Sequence, residues 1–170
     1  MNQAQHNGTA ALHLACQTGF VDVCEFLLDH GADVNAMGLR STAPLYRASQ
    51  NGHIELLPLL VERGAVIDAP NSQGVTPLAI AAQYGHDDVV EWLIEHGADV
   101  NHFPHSVMPA LHAACATGHL STAKLLVDNG ADAFLLAYSG ESAMDIAVRF
   151  NQMDCATFLS EITAALRLSL

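Results

Sequence analysis

Apolar positions recur along this chain at two spacings, one nested inside the other. The inner spacing is plainest over residues 76–97. Thr76-Pro77 opens a helical stretch, where proline in the first turn forfeits no hydrogen bond. Leu78, Ile80 and the pair Ala81-Ala82 follow, a face small enough for a neighbouring helix to approach closely. Gly85 ends the stretch, because the residue just past a helix takes positive φ and glycine does so without strain. A second helix is predicted from about Asp87 to Glu95, with Val89, Val90, Leu93 and Ile94 at helical spacing and His96-Gly97 closing it. The pattern predicts an all-α unit of two short helices followed by a loop.

The outer spacing is 33 residues. Gly19, Gly52, Gly85 and Gly118 stand that far apart, and Gly31, Gly64, Gly97 and Gly130 form a second, parallel ladder. Around the second ladder the chain reads Gly31-Ala32-Asp33-Val34-Asn35, Gly64-Ala65-Val66-Ile67-Asp68, Gly97-Ala98-Asp99-Val100-Asn101 and Gly130-Ala131-Asp132-Ala133. Two ladders sharing one period mark a stacked repeat protein.

A 33-residue period with a Thr-Pro-Leu-His-type helix start and a Gly-Ala-Asp-Val-Asn loop resembles the ankyrin repeat. The resemblance implies a single solenoid domain over residues 1–170, built of stacked helix-turn-helix units with β-hairpin or loop tips. Five copies are expected at about 5–37, 38–70, 71–103, 104–136 and 137–169. The third copy lies nearest the family pattern, with Gly74-Val75-Thr76-Pro77-Leu78 and Tyr84-Gly85-His86. The first reads Gly8-Thr9-Ala10-Ala11-Leu12-His13 and the fourth Val107-Met108-Pro109-Ala110-Leu111-His112. In the fifth, Asn151 and Thr163 stand where the ladders want glycine, as suits a terminal cap. Leu159 to Leu166 should extend the last helix, and this stretch does not resemble the cullin-recruiting box of some ankyrin adaptors. Ala10-Ala11 in place of Thr-Pro, close to the start, raises the expectation of an excised piece.

Two departures bear on packing. Pro58 falls in the second helix of the second repeat; a start near His53 or Ile54 would leave it at the end of the first turn, with mild distortion. Arg47 occupies a position usually aliphatic. Burying it unpaired would be too costly, which leaves exposure at the groove or pairing with an acidic neighbour.

Composition narrows the partners. With 51% hydrophobic and 14% charged residues the chain is not a disordered one, and 18 acidic against 6 basic residues give a net charge of −12. That field repels phosphate backbones, so nucleic acid and anionic membrane are poor partners and a basic or apolar protein surface a better one. No apolar run is long enough to span a bilayer, and residues 1–5 resemble no signal peptide. The sequon Asn7-Gly8-Thr9 is therefore expected to stay unused. Cys16, Cys24, Cys115 and Cys155 show no paired spacing and fall in apolar helical stretches, so buried reduced thiols are expected. These features together predict an intracellular, cytoplasmic or nuclear, monomeric protein.

Catalytic chemistry finds little footing. There is no phosphate-cradling glycine loop, no His-Glu-x-x-His and no Gly-x-Ser-x-Gly, so no enzyme activity and no cofactor are expected. His13-x-x-Cys16 and His112-x-x-Cys115 each put two metal-capable side chains on one helical face, yet two ligands make no site. The resemblance instead implies structural hydrogen bonds for those histidines. His86-Asp87-Asp88 fits a turn leading into an acidic helix start, favoured by the helix dipole. Ten histidines make the surface pH-sensitive near neutrality.

Function is therefore expected at the surface. The resemblance implies a protein–protein interaction module (an adaptor or scaffold) that binds through its concave groove and loop tips. Matched position by position, the tips carry Met37, Leu39 and Arg40, then Pro70, Ser72 and Gln73, then Phe103, His105 and Met108, then Leu136 and Tyr138. Tyr84 is expected on the groove side of its helix, and Arg47, where it is exposed at the groove, joins it as a candidate contact. A row of large apolar tips could form one binding patch, or pack between adjacent hairpins. Asp22, Glu25, Asp29, Asp87, Asp88, Glu91 and Glu95 are expected to form a solvated outer face. Asn35 and Asn101 match the loop asparagine that the family resemblance marks for hydroxylation. The second class of function is a structural or self-associating segment of a larger protein.

Overall fold

A computed structural model describes residues 11–102 and 108–168. Its helices come in pairs. The first pair is α1, covering 11–18, and α2, Val21–Asp29. Then follow α3 (Pro44–Gln50) with α4 (Leu56–Glu62), α5 (Pro77–Tyr84) with α6 (Asp87–Glu95), and α7 (Ala110–Thr117) with α8 (Leu120–Asp128). The last pair is α9 (Ala143–Arg149) and α10 (Met153–Leu168). First helices stack in the order α3, α5, α7, α9, and second helices α4 on α2 and α8 on α6, so each pair packs on its sequence neighbours.

Local rules set the boundaries. Thr76 caps α5 by accepting from the Ala79 N–H at 3.2 Å, with Pro77 at the first helical position. Ser142 and Asp145 form a reciprocal capping box on α9, and those bonds hold the Asp145 carboxyl below its usual range. Without a glycine at residue 163, α10 runs for 16 residues, where α6 and α8 run for nine. Pro58 has a larger effect than a mild distortion: α4 begins two residues later in its repeat than α6 does. Leu56 and Leu57 N–H groups donate to His53 and Ile54 carbonyls three residues back, a tight turn that needs nothing from the missing Pro58 N–H.

The core repeats as columns. Leu12, Leu45, Leu78 and Leu111 from first helices are all buried, as are Leu60, Leu93, Leu126 and Leu159 from second helices. Each buried leucine contributes about 1.5–3 kcal/mol. Small residues pack between the first helices, with Ala48, Ala81, Ala82, Ala114 and Ala147 at zero exposure.

Polar latches join successive pairs. The His53 ring lies over Gly19, that of His86 over Gly52 and that of His119 over Gly85. His53 Nε2 donates to the Gln17 carbonyl at 3.0 Å, and His86 Nε2 to the Gln50 carbonyl at 3.1 Å. At the opposite end of each second helix, Asn35 gives Nδ2–H to the Gly64 carbonyl at 2.8 Å and accepts from the Val66 N–H at 2.9 Å. Asn101 repeats both bonds with Gly130 and Asp132. Asp33 and Asp99 fold the intervening turn by accepting from the Asn35 and Asn101 N–H groups. The Gly-Ala-Asp-Val-Asn stretch is thus a turn followed by a clamp.

Candidate partner-binding edge

Each of the three described tips is a loop closed by a backbone bond rather than a strand pair. Gly38 N–H donates to the Thr42 carbonyl, Asn71 to Val75 and Ala137 to Glu141, at 2.8–2.9 Å. The expected β-hairpins are therefore corrected among the described residues: one isolated bridge, Leu136 with Ser142, is the whole of the strand-like pairing.

The first tip is strained. Leu39–Ser41 form a 3-10 turn in which Arg40 has φ 59° and Ser41 φ 53°. The same register position holds Gly74 and Gly140, at φ 85° and 80°. Ser41 thus adopts a glycine conformation while carrying a side chain, at a cost of about 1 kcal/mol or more. The sequence carried a partial signal of this strain, serine at a position that is glycine in two of the other tips, Gly74 and Gly140, and valine in the third, Val107. The second tip is organised by Asn71, whose Oδ1 accepts from the Gln73 and Val75 N–H groups while Nδ2 donates to the buried Tyr46 hydroxyl at 3.2 Å. Adjacent tips are tied, since the Ser72 N–H donates to the Arg40 carbonyl at 3.0 Å.

The 33-residue register arranges tip side chains in two columns, Met37–Pro70–Phe103–Leu136 and Leu39–Ser72–His105–Tyr138. Phe103 and His105 lie outside the described residues. Leu39 is 83% exposed and Tyr138 80%, and Met37 and Leu136 are more than half exposed. They do not pack between tips. Met108 is half-buried, while Arg40, Pro70, Ser72 and Gln73 are exposed. Tyr84 is exposed at the end of α5, its ring parallel to that of His86 at 6.2 Å. Arg47 follows neither sequence alternative: it is half-buried, and its guanidinium donates to the Gln50 side-chain oxygen at 3.1 Å.

The chemical candidates are absorbed into packing. His13 Nε2 donates to the Thr42 carbonyl at 2.7 Å, bridging the first two repeats. The His112 ring is fully buried with no hydrogen bond of good geometry. Burial lowers its pKa, and the Glu141 and Leu135 carbonyls facing it oppose that only in part. All four cysteines are free and buried, yet the structure pairs what sequence spacing did not: Cys16 and Cys24 sulfurs are 3.5 Å apart, and Cys115 neighbours Cys155. Asp87 is corrected from the solvated outer face. It is half-buried and accepts the hydroxyl of fully buried Thr122 on α8, linking two repeats. Among the described residues no three His, Cys, Asp or Glu side chains converge in a metal-like group, and no helix is long and apolar enough to cross a membrane.

Comparison with known proteins agrees with this geometry. Family models described as ankyrin repeats match residues 7–39, 37–103 and 111–159. A 38-residue stretch is 47% identical to palmitoyltransferase akr1 of Schizosaccharomyces pombe (strain 972 / ATCC 24843), covering 22% of this chain and 6% of that protein.

Proposed function

Because the chain belongs to the ankyrin-repeat family, whose fold generally mediates protein–protein interactions, we propose that it holds a partner protein along its tip edge. The observation that carries this reading is the exposure of Leu39 and Tyr138, which occupy one register column at opposite ends of the row. Large apolar side chains on loop tips add nothing to the core and cost solubility; a partner that covers them recovers that cost. The left-handed Arg40-Ser41 pair beside Leu39 supports the same edge, since backbone strain in an exposed loop persists where it presents a side chain. Groove residues Tyr84 and Arg47 extend the surface inward. The net charge of −12 favours a partner with a basic rim around an apolar anchor.

The test is affinity capture with wild type and a Leu39→Ser, Tyr138→Ser variant. Both positions are solvent-facing, so thermal unfolding should be nearly unchanged. Partner retention should drop at least about tenfold, as loss of a covered apolar anchor costs on the order of 2 kcal/mol. Equal retention would sink the tip-edge reading and move the contact to the groove around Tyr84.

A further inference from the structure

The first repeat carries, on the face turned away from the rest of the stack, the side chains that the later repeats use against their preceding neighbour. Three register columns build that interface. One is Ile80, Ala113 and Ile146, at most 5% exposed, with Arg47 half-buried in the same place. The second is Leu56, Val89, Thr122 and Cys155, all at zero exposure. The third is the ring column of His53, His86 and His119, each lying over the preceding repeat's ladder glycine. In the first repeat these columns hold Leu14, Val23 and Phe20, and all three are exposed, Leu14 and Phe20 by about 60%. Phe26 beside them is equally bare, whereas its equivalents Leu59, Trp92, Leu125 and Phe158 are half-buried.

A terminal repeat that faces water ordinarily replaces such positions with polar residues. Here interior chemistry is kept instead. We infer that this face is built to receive one more in-register helix pair, namely the trailing face of an ankyrin repeat with glycine at the ladder position. Phe20 would lie over that glycine as His53 lies over Gly19, by stacking alone, because phenylalanine has no N–H to donate. Leu14 and Val23 would enter the core beside it. The interface is already made between the five repeats of the chain, and Leu14, Val23 and Phe20 continue it outward.

The chain's own trailing end does not fit this description. Asn151 takes the ladder position there with φ 59°, and it has a Cβ where the ring must lie. At Gly85 an added Cβ would meet the His119 ring at 2.5 Å, inside any real contact distance. α10 also runs on through Thr163, where a regular repeat turns. Head-to-tail stacking of two copies is therefore disfavoured, and the occupant that fits brings glycine at the position where the last repeat has Asn151.

The experiment joins a second copy of residues 71–103 in register ahead of residue 5 of the full chain. Tm should rise by about 5 °C or more, as a stacked repeat adds a full interface. A Leu14→Ser, Val23→Ser pair should shift the unjoined chain little but erase most of that gain in the joined protein. No rise, or a rise that the pair leaves intact, overturns the inference. Light scattering of the unjoined chain over a wide concentration range gives an independent readout. Constant mass supports the inference; mass that grows with concentration and is restored to monomer by the same pair overturns it, because a second copy then covers the face.

Discussion

The two glycine ladders look interchangeable in sequence and differ in what surrounds them. Gly31, Gly64, Gly97 and Gly130 have φ of 85–93° and nothing within 4 Å of where a Cβ would stand. Gly19, Gly52 and Gly85 have φ of 71–80° and a histidine ring from the next repeat 2.5–2.7 Å from that point. The second ladder is glycine for backbone conformation alone. The first is glycine for conformation and for space, and the space is filled by the residue that binds one repeat to the next. A helix terminator and an inter-repeat socket can thus share one residue type and one period.

Substitution separates them. Gly85→Ala should be the more damaging, at about 2–4 kcal/mol, because left-handed strain of about 1 kcal/mol adds to displacement of the His119 ring. Urea unfolding reads the loss. Adding His119→Ala should return the excess over the strain cost, and the coupling energy in that double-mutant cycle measures the socket. If the double variant is merely the sum of the singles, the ring is not what makes Gly85 different. Gly97→Ala should cost only about 1 kcal/mol by the same measurement, with no coupling to the following repeat. A loss as large as at Gly85 would erase the distinction between the ladders.

The loops that follow the second ladder allow the smallest test, and it runs in the stabilising direction. Asn35 and Asn101 each clamp the next repeat with two bonds, but Asp68 stands in that place in the second repeat. Asp68 Oδ2 accepts from the Asp99 N–H at 3.1 Å, while its buried Oδ1 has no partner. A carboxylate has no N–H to give to the Gly97 carbonyl, as Asn35 gives to Gly64. Asp68→Asn should therefore gain roughly 0.5–1.5 kcal/mol, seen as a higher urea midpoint. A lower midpoint would mean that the clamp is not what this loop position contributes.

Periodicity made most of the fold legible. The ladders, the Thr76-Pro77 start and the spacing of Val89, Val90, Leu93 and Ile94 located the helices, because helix ends and amphipathic faces are local properties of a few residues. The predicted limits of α6, Asp87 and Glu95, match those observed. The tip row was legible as a set of positions but not as a surface. Whether Leu39 or Met108 is exposed depends on how closely neighbouring loops sit; Leu39 proves largely bare and Met108 half-buried. Asp87 misled for a related reason: its acidic, helix-starting context is local, while the hydroxyl of Thr122 that it holds arrives from 35 residues away.

By itself the sequence determined the all-α repeat, its period, its family and, in the third repeat, where the two helices start and stop. These follow from backbone conformation and side-chain spacing, which short segments carry with them. Tertiary stacking alone decided which partner each side chain meets. It set His rings against one glycine ladder and left the other open, and it paired Cys16 with Cys24. It also left Leu14, Phe20 and Val23 uncovered on the outer face of the first repeat. In a solenoid every contact between repeats is made at a distance of about one period along the chain. What a residue touches is therefore settled by its neighbour in the stack, not by its neighbours in sequence.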